Sequence, residues 1–306
     1  MAPVVRSGRT RYANDRGLTS RMVGTMFGLG LLYVVLAAVL IALGSSTIFV
    51  LVIAGGGLFL QWYFSDVMAL RAMRAAVVAP EQAPQLHALV DRLCAMADMP
   101  KPRIAIADTD IPNAFATGRS QSRAVVCVTT GLLRRLDVAE LEGVLSHELS
   151  HIAHRDVTVM TVASFAGVLA GLLTRMWLWG GVGRRGGRDQ NAAVIFLIVI
   201  LVSAVVYVVS FLLTRALSRY RELSADRAGA LLTGNPTALA TALQKVSGDI
   251  VGIPDRDLRA IEAVSAFAFA PALTTKASFS TLFQTHPPLN KRLEQLAQIA
   301  AQLGQR

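Results

Sequence analysis

The sequence predicts a mainly α membrane protein, in which two transmembrane helical hairpins accompany an α+β domain with a small β-sheet. Three observations predict it. The 306 residues are 53% hydrophobic, with a mean hydropathy of +0.49. That is oilier than a soluble protein, in which apolar residues and glycine together make up roughly half. Long uncharged runs fill two blocks, 22–65 and 157–214. Two polar segments, 71–156 and 215–306, carry the spacings of amphipathic helices and short strands.

A helix needs about 20 apolar residues to cross a bilayer. No charge occurs from Met22 to Ser65, and Gly44-Ser45-Ser46-Thr47 divides that run into spans 22–43 and 48–64. The second block divides into an uncharged 157–174, a glycine-rich polar 180–191 and an uncharged 192–214. Arg175, Trp177 and Trp179 read as an interfacial belt. Segment 1–21 holds five arginines and one aspartate. It reads as a basic N-terminal segment rather than a cleaved leader, since no small-residue cleavage site precedes the second span. Net charge is +10, and Arg21, Arg71, Arg74, Arg215, Arg219 and Arg221 flank the spans. Such flanking charge suits lipid headgroups and cytoplasmic retention. No aromatic-interleaved basic repeat is present, so no nucleic-acid partner is expected. The N-terminal arginines predict a cytoplasmic N-terminus, with both polar segments cytoplasmic. The loop holding Arg184, Arg185 and Arg188 then faces outward, against the positive-inside tendency, unless the second hairpin dips into the bilayer without crossing it. Cys94 and Cys127 have no metal-type spacing and read as small core residues.

The polar segments are expected to fold together, brought together by the second hairpin. Leu86, Leu89, Val90 and Leu93 mark an amphipathic helix over about 84–96, stopped by Pro100 and Pro102. Residues 103–107 and 124–128 read as strands, and 111–118 as an edge strand bounded by proline and glycine. Asp137 caps the next helix, with Glu140 as its capping-box partner. Residues 218–229 read as a helix ending near Gly234, and a final amphipathic helix runs through Leu293, Leu296 and Ile299. The domain plan is a basic segment 1–21, hairpin 22–65, domain part 71–156, hairpin 157–214 and domain part 215–306.

The chain has five histidines, and three fall in Ser146-His147-Glu148-Leu149-Ser150-His151-Ile152-Ala153-His154. On a helix His147 and His151 share a face, so their imidazoles can grip one zinc ion. Glu148 lies beside them, placed to take a proton from a water that the zinc activates. His154 is about 10 Å of rise from His147, too far to share the ion. It reads as a neighbour of the site. Asp156 is too far along the helix to be a ligand, and Asp189 lies a membrane thickness away. Glu222 is the best third ligand, giving a His2Glu site with an open fourth position. Asp226 shares its face and would accept a hydrogen bond from a ligand imidazole. The hairpin between His151 and Glu222 then returns the chain to its starting place and holds the site against the bilayer.

His147-Glu148-Leu149-Ser150-His151, Glu222-Leu223-Ser224-Ala225-Asp226, Pro112-Asn113-Ala114-Phe115-Ala116 and Thr285-His286-Pro287-Pro288-Leu289 together resemble the HtpX family of membrane zinc metalloproteases, relatives of the CAAX prenyl proteases. The resemblance implies a zincin-like catalytic domain and one zinc ion per chain, held by His147, His151 and Glu222, with Glu148 as base. It implies a bacterial inner-membrane, multi-pass endopeptidase with a cytoplasmic catalytic domain, acting on misfolded or damaged membrane and cytosolic proteins. The protein and peptide substrates, the lipid bilayer and other quality-control proteases or further copies of the chain are the expected partners. By the same resemblance Asn113 lies in the strand against which substrate backbone pairs. His286 either donates to the developing oxyanion or merely caps the start of the last helix. A catalytically silent scaffold with a structural zinc is one alternative, and a prenyl-protein peptidase another. The intact Glu148 opposes the first, and four spans are few for the second.

Overall fold

The computed structural model describes residues 12, 15–42, 46–163, 165, 190–251 and 287–304. They form two compact units. Unit 1 gathers the residues up to Leu18, Ser65–Val157 and Ser218–Arg306; unit 2 takes Thr19–Phe64 and Thr158–Leu217.

Unit 2 is helical. Its helices are α1 (Arg16–Ala42, from Thr19 onward), α2 (Thr47–Leu51), α3 (Gly57–Tyr63) and the first part of α8 (Gln190–Thr233). Leu36, Leu40, Val50, Phe165, Val199 and Val206 form its interior. Val23, Phe27, Leu31 and Val34 on α1, and Leu197, Leu201, Val205, Val208 and Leu212 on α8, face outward instead. Contiguous exposed apolar surface of this kind suits hydrocarbon rather than water. Helices α1 and α8 are long and apolar enough to cross a membrane. The expected second span is helical over residues 47–63 but passes through a π turn, Val52–Gly56. Gly55, Gly56 and Gly57 supply no side chains to hold an even ladder there, so no single α-helix covers the bilayer length. Most of the expected third span, with Arg175, Trp177, Trp179 and the loop holding Arg184, Arg185 and Arg188, lies outside the described residues.

Unit 1 has a four-stranded sheet in the order β1-β2-β4-β3, built from β1 (Ala75–Val77), β2 (Arg103–Ala107), β3 (Ala114–Thr117) and β4 (Val125–Thr129). Strands β2 and β4 run parallel, while β1 and β3 pair antiparallel at the edges. Both faces of β4 are covered, which explains its unbroken apolar run. Val126 and Val128 join the large core with Leu93 of α5 (Pro84–Ala97) and Leu145 and Leu149 of α7 (Val138–His154). Leu239 and Val246 of α9 (Pro236–Val251) and Leu296 and Ile299 of α10 (Leu289–Gln302) complete that core. Val125 and Cys127 pack on the other face with Phe115 and with Ala69 of α4 (Ser65–Ala72). Both cysteines are buried and free, as their apolar context predicts.

Two local devices fix β3. The Thr129 hydroxyl donates to the Ile111 carbonyl (2.8 Å), accepts from the Asn113 N–H (2.9 Å) and caps α6 (Thr130–Arg135) through Leu132. Gly131 lets the Asp110 carbonyl come so close that an added Cβ would stand 2.2 Å from it. The chain is thereby turned so that β3 lies at the edge, with no further strand beyond it among the described residues.

Candidate metal centre

Helix α7 begins with the predicted capping box: Asp137 accepts from the Glu140 N–H, and Glu140 accepts from the Asp137 N–H. The helix stops at His154 because Arg155 adopts a left-handed conformation (φ 58°). Gln121 then donates to the terminal carbonyls of Ile152 and Ala153. The histidines four residues apart face the same way, with His147 Nε2 and His151 Nε2 3.3 Å apart. Helix α8 brings Glu222 to them, Oε2 at 3.5 Å from His147 Nε2 and Oε1 at 3.7 Å from His151 Nε2. These three residues, all buried, are the group among the described residues that could hold a metal ion.

The outer nitrogens are fixed in turn. His147 Nδ1 stands 2.9 Å from Asp226 Oδ1, on the side that the shared helical face of Glu222 and Asp226 predicts. His151 Nδ1 donates to Asp156 Oδ2 at 2.9 Å. With each Nδ1 beside a carboxylate, both Nε2 atoms are turned to the centre. Asp156 is not a ligand, in line with the sequence, but its bond to His151 was invisible there. The reversal at Arg155 carries it back over the helix end instead of further along the axis.

Two arginines complete the cluster: Arg292 was not foreseen, and Arg221, expected among the charges that meet lipid headgroups, is buried instead because it pairs with Glu222. Arg292 of α10 grips Asp226 with two bonds, Nε to Oδ2 at 2.7 Å and Nη2 to Oδ1 at 2.6 Å. Arg221 donates to Glu222 Oε1 at 2.9 Å. The signal for Arg292 was available. It sits four and seven residues before Leu296 and Ile299, on the apolar stripe of an otherwise regular amphipathic helix, and a charge there must find a buried partner.

The electrostatics follow from burial and these partners. Burial pulls the His147 imidazole down, but the bonds and charges of Asp226 and Glu222 outweigh it and carry it up to about 9. Burial also dominates His151 and lowers it. Burial pushes Asp226 up, yet Arg292 and His147 together hold it below the ordinary carboxylate range. Burial pushes Glu148 up to about 8, although His147, Arg221 and a hydrogen bond from the Ala116 N–H act against it.

That last bond ties the centre to β3. Thr129 N–H donates to the Asn113 carbonyl, and the register runs on through Phe115↔Cys127 and Thr117↔Val125. Alternate residues of an antiparallel strand bond to one neighbour. Asn113, Phe115 and Thr117 therefore turn their backbone groups toward β4, while Ala114 and Ala116 turn theirs to the open edge beside Glu148. Asn113 itself is 3% exposed and leads directly into this strand. His154 is not in the metal group; its ring lies 6.2 Å from that of Tyr12. His286 lies outside the described residues.

Comparison with known proteins gives the family. The profile of peptidase family M48 matches residues 80–300. Protease HtpX homolog 1 of Streptomyces coelicolor is 57% identical over 297 residues, covering 97% of both chains. The Protease HtpX homolog of Moorella thermoacetica is 49% identical, covering 97% of this chain and 99% of its own. Among solved structures, that of S. mikatae Ste24p matches with a TM-score of 0.52 at 15% identity, covering 92% of this chain and 66% of that one, which supports a shared fold. The chain thus belongs to peptidase family M48 and is a metalloprotease.

Proposed function

We propose that the protein is a zinc-dependent endopeptidase of a bacterial inner membrane. Its catalytic unit would be cytoplasmic, and it would hydrolyse misfolded or damaged membrane and cytosolic proteins. The observation that carries this reading is the triangle of His147 Nε2, His151 Nε2 and the Glu222 carboxylate, with sides of 3.3, 3.5 and 3.7 Å. Ligands about 2.0–2.2 Å from a tetrahedral zinc ion stand about 3.3–3.6 Å apart. Two imidazoles and one carboxylate with a fourth position open are a catalytic rather than a structural donor set.

When bound, zinc supplies Lewis acidity, which polarises a carbonyl and lowers the pKa of water to about 7. The chain's own residues do the rest. Glu148 takes a proton from the attacking water, whose oxygen bonds to the scissile carbonyl carbon. It then delivers that proton to the departing nitrogen as the C–N bond breaks. Burial raises the Glu148 carboxyl above its ordinary range, which strengthens it as a base once ionised. The Ala114 N–H and the outward carbonyls of Ala114 and Ala116 would align an extended substrate, with Asn113 at the head of that strand. His286 would donate to the developing oxyanion or cap α10. The apolar faces of α1 and α8 hold the enzyme in the bilayer.

Glu148→Gln tests the reading. The variant should keep its zinc and lose peptide hydrolysis, while His147→Ala should lose both. Casein-like substrates cleaved at the wild-type rate by Glu148→Gln would refute the mechanism. Zinc retained by a wild-type protein without hydrolysis would favour the silent scaffold.

A further inference from the structure

The helices that carry the metal ligands are tied together by residues from the far end of the chain. Tyr12 is 6% exposed and belongs to the large core of unit 1. Its hydroxyl donates to the Ser146 carbonyl at 2.9 Å and lies 3.3 Å from Ser146 Oγ. Ser146 immediately precedes His147, and its own hydroxyl donates to the Gly229 carbonyl of α8 at 3.3 Å. Three residues after Tyr12, Asp15 caps α1 through the Leu18 N–H at 2.9 Å. Asp15 also accepts from Ser224 Oγ at 2.7 Å and from the Tyr220 hydroxyl at 3.3 Å. Tyr220 and Ser224 stand two residues on either side of Glu222. The fit is close, since a Cβ on Gly17 would fall 2.3 Å from the Tyr220 hydroxyl.

We propose that Tyr12 and residues 15–18 form part of the framework of the metal centre, with Tyr12 and Asp15 as positioning residues that fix α7 against α8 and so set the spacing between the histidine pair and Glu222. The proposal rests on the reading that these three residues hold the metal. The M48 profile match, 80–300, leaves the segment out. The physical need for it is specific. Helices α7 and α8 meet closely at Gly229, which brings no side chain of its own to that contact, whereas metal–ligand distances tolerate about 0.2 Å. Tyr12 holds α7 one residue from His147, and Asp15 holds α8 on both sides of Glu222.

The test uses the full-length detergent-solubilised protein and three variants, Tyr12→Phe, Asp15→Asn and Ser224→Ala. Zinc retention is read against a series of chelator concentrations, alongside melting curves and kcat and KM on a long peptide. Each variant should lose zinc at about three- to tenfold lower chelator concentration, the worth of one hydrogen bond. In each, kcat should fall with KM unchanged, because the segment touches no substrate. Val90→Ala, a core truncation in α5, should lower the melting temperature and leave the chelator curve in place. His147→Ala, which loses its zinc outright, establishes the centre itself. Wild-type chelator curves in Tyr12→Phe, Asp15→Asn and Ser224→Ala against that background would overturn the clasp and leave the centre standing. A Val90→Ala curve shifted as far as theirs would also overturn it, by showing that zinc loss follows stability alone. Equal zinc in wild type and His147→Ala would overturn the centre, and the clasp with it.

Discussion

Gly229→Ala is the sharpest single perturbation of this centre. A Cβ at that position would stand 3.0 Å from His147 N, 3.2 Å from His147 Cα and 3.3 Å from Ser146 C. All three are backbone atoms of α7, so no side chain can swing aside. Carbon contacts settle at about 3.5–4.0 Å, and the helices must part by roughly 0.5 Å. Overpacking of this kind costs about 1–3 kcal/mol, against which alanine returns about 1 kcal/mol of helix propensity. Net stability should therefore fall by about 2 kcal/mol at most. The metal triangle suffers more. Its two sides to Glu222, 3.5 and 3.7 Å, join the same two helices, and a shift of roughly 0.5 Å exceeds the 0.2 Å that ligand distances tolerate. Zinc affinity should drop at least tenfold while circular dichroism and the melting temperature change little. The assay is chelator competition on purified protein, with peptide hydrolysis measured at saturating and limiting zinc. Unchanged affinity with a raised melting temperature would show that α7 and α8 do not meet at Gly229.

Three further perturbations address the surroundings. Arg292→Met should lower stability by about 3–5 kcal/mol, because it leaves Asp226 charged and buried, and pairing it with Asp226→Asn should recover part of that loss in thermal melts. In metal-free protein, His147 and Glu148 both sit above their ordinary values, so the stability they confer is complete at low pH and drains as protons leave. The melting temperature in excess chelator should accordingly fall as pH rises from about 6.5 to about 9, and a flat profile over that window would contradict the assigned surroundings. Ala116→Pro should impair cleavage of long and short peptides alike, since it removes the N–H that Ala116 donates to Glu148, while zinc content stays near normal; unimpaired cleavage would mean that this bond does not hold the base.

Where sequence alone succeeded, the signals were local. The capping box at Asp137, the four-residue histidine spacing and the apolar run of β4 each follow from periodicity within one element. Glu222 and Asp226 were legible because they share a helical face just after the last uncharged run, where the hairpin returns the chain to the histidines. What failed to appear depends on register or reversal. Strand β1 is only three residues and pairs with β2 through the chain's return after α4. Asp156 needed the left-handed Arg155. The edge strand was visible, but not which of its residues face outward. Phe115, the natural target for a proline, bonds to β4, and Ala116 is the one that opens to the edge. Tyr12 and Asp15 lie in a basic stretch whose charge pattern speaks of lipid and says nothing of a core. Arg292 alone was a missed opportunity.

The bond from Arg292 to Asp226 also has a consequence in time. The ribosome releases the chain from its N-terminus, so His147, His151 and Glu222 emerge before α10. Until α10 arrives, Asp226 would have to enter the core without its counter-charge, and a lone buried carboxylate is far more costly than an exposed one. The nascent protein therefore holds all its metal-binding side chains yet lacks the means to seat the His147 imidazole. Seating of the His147 imidazole thus waits on Arg292, an arginine that plays no part in binding the ion.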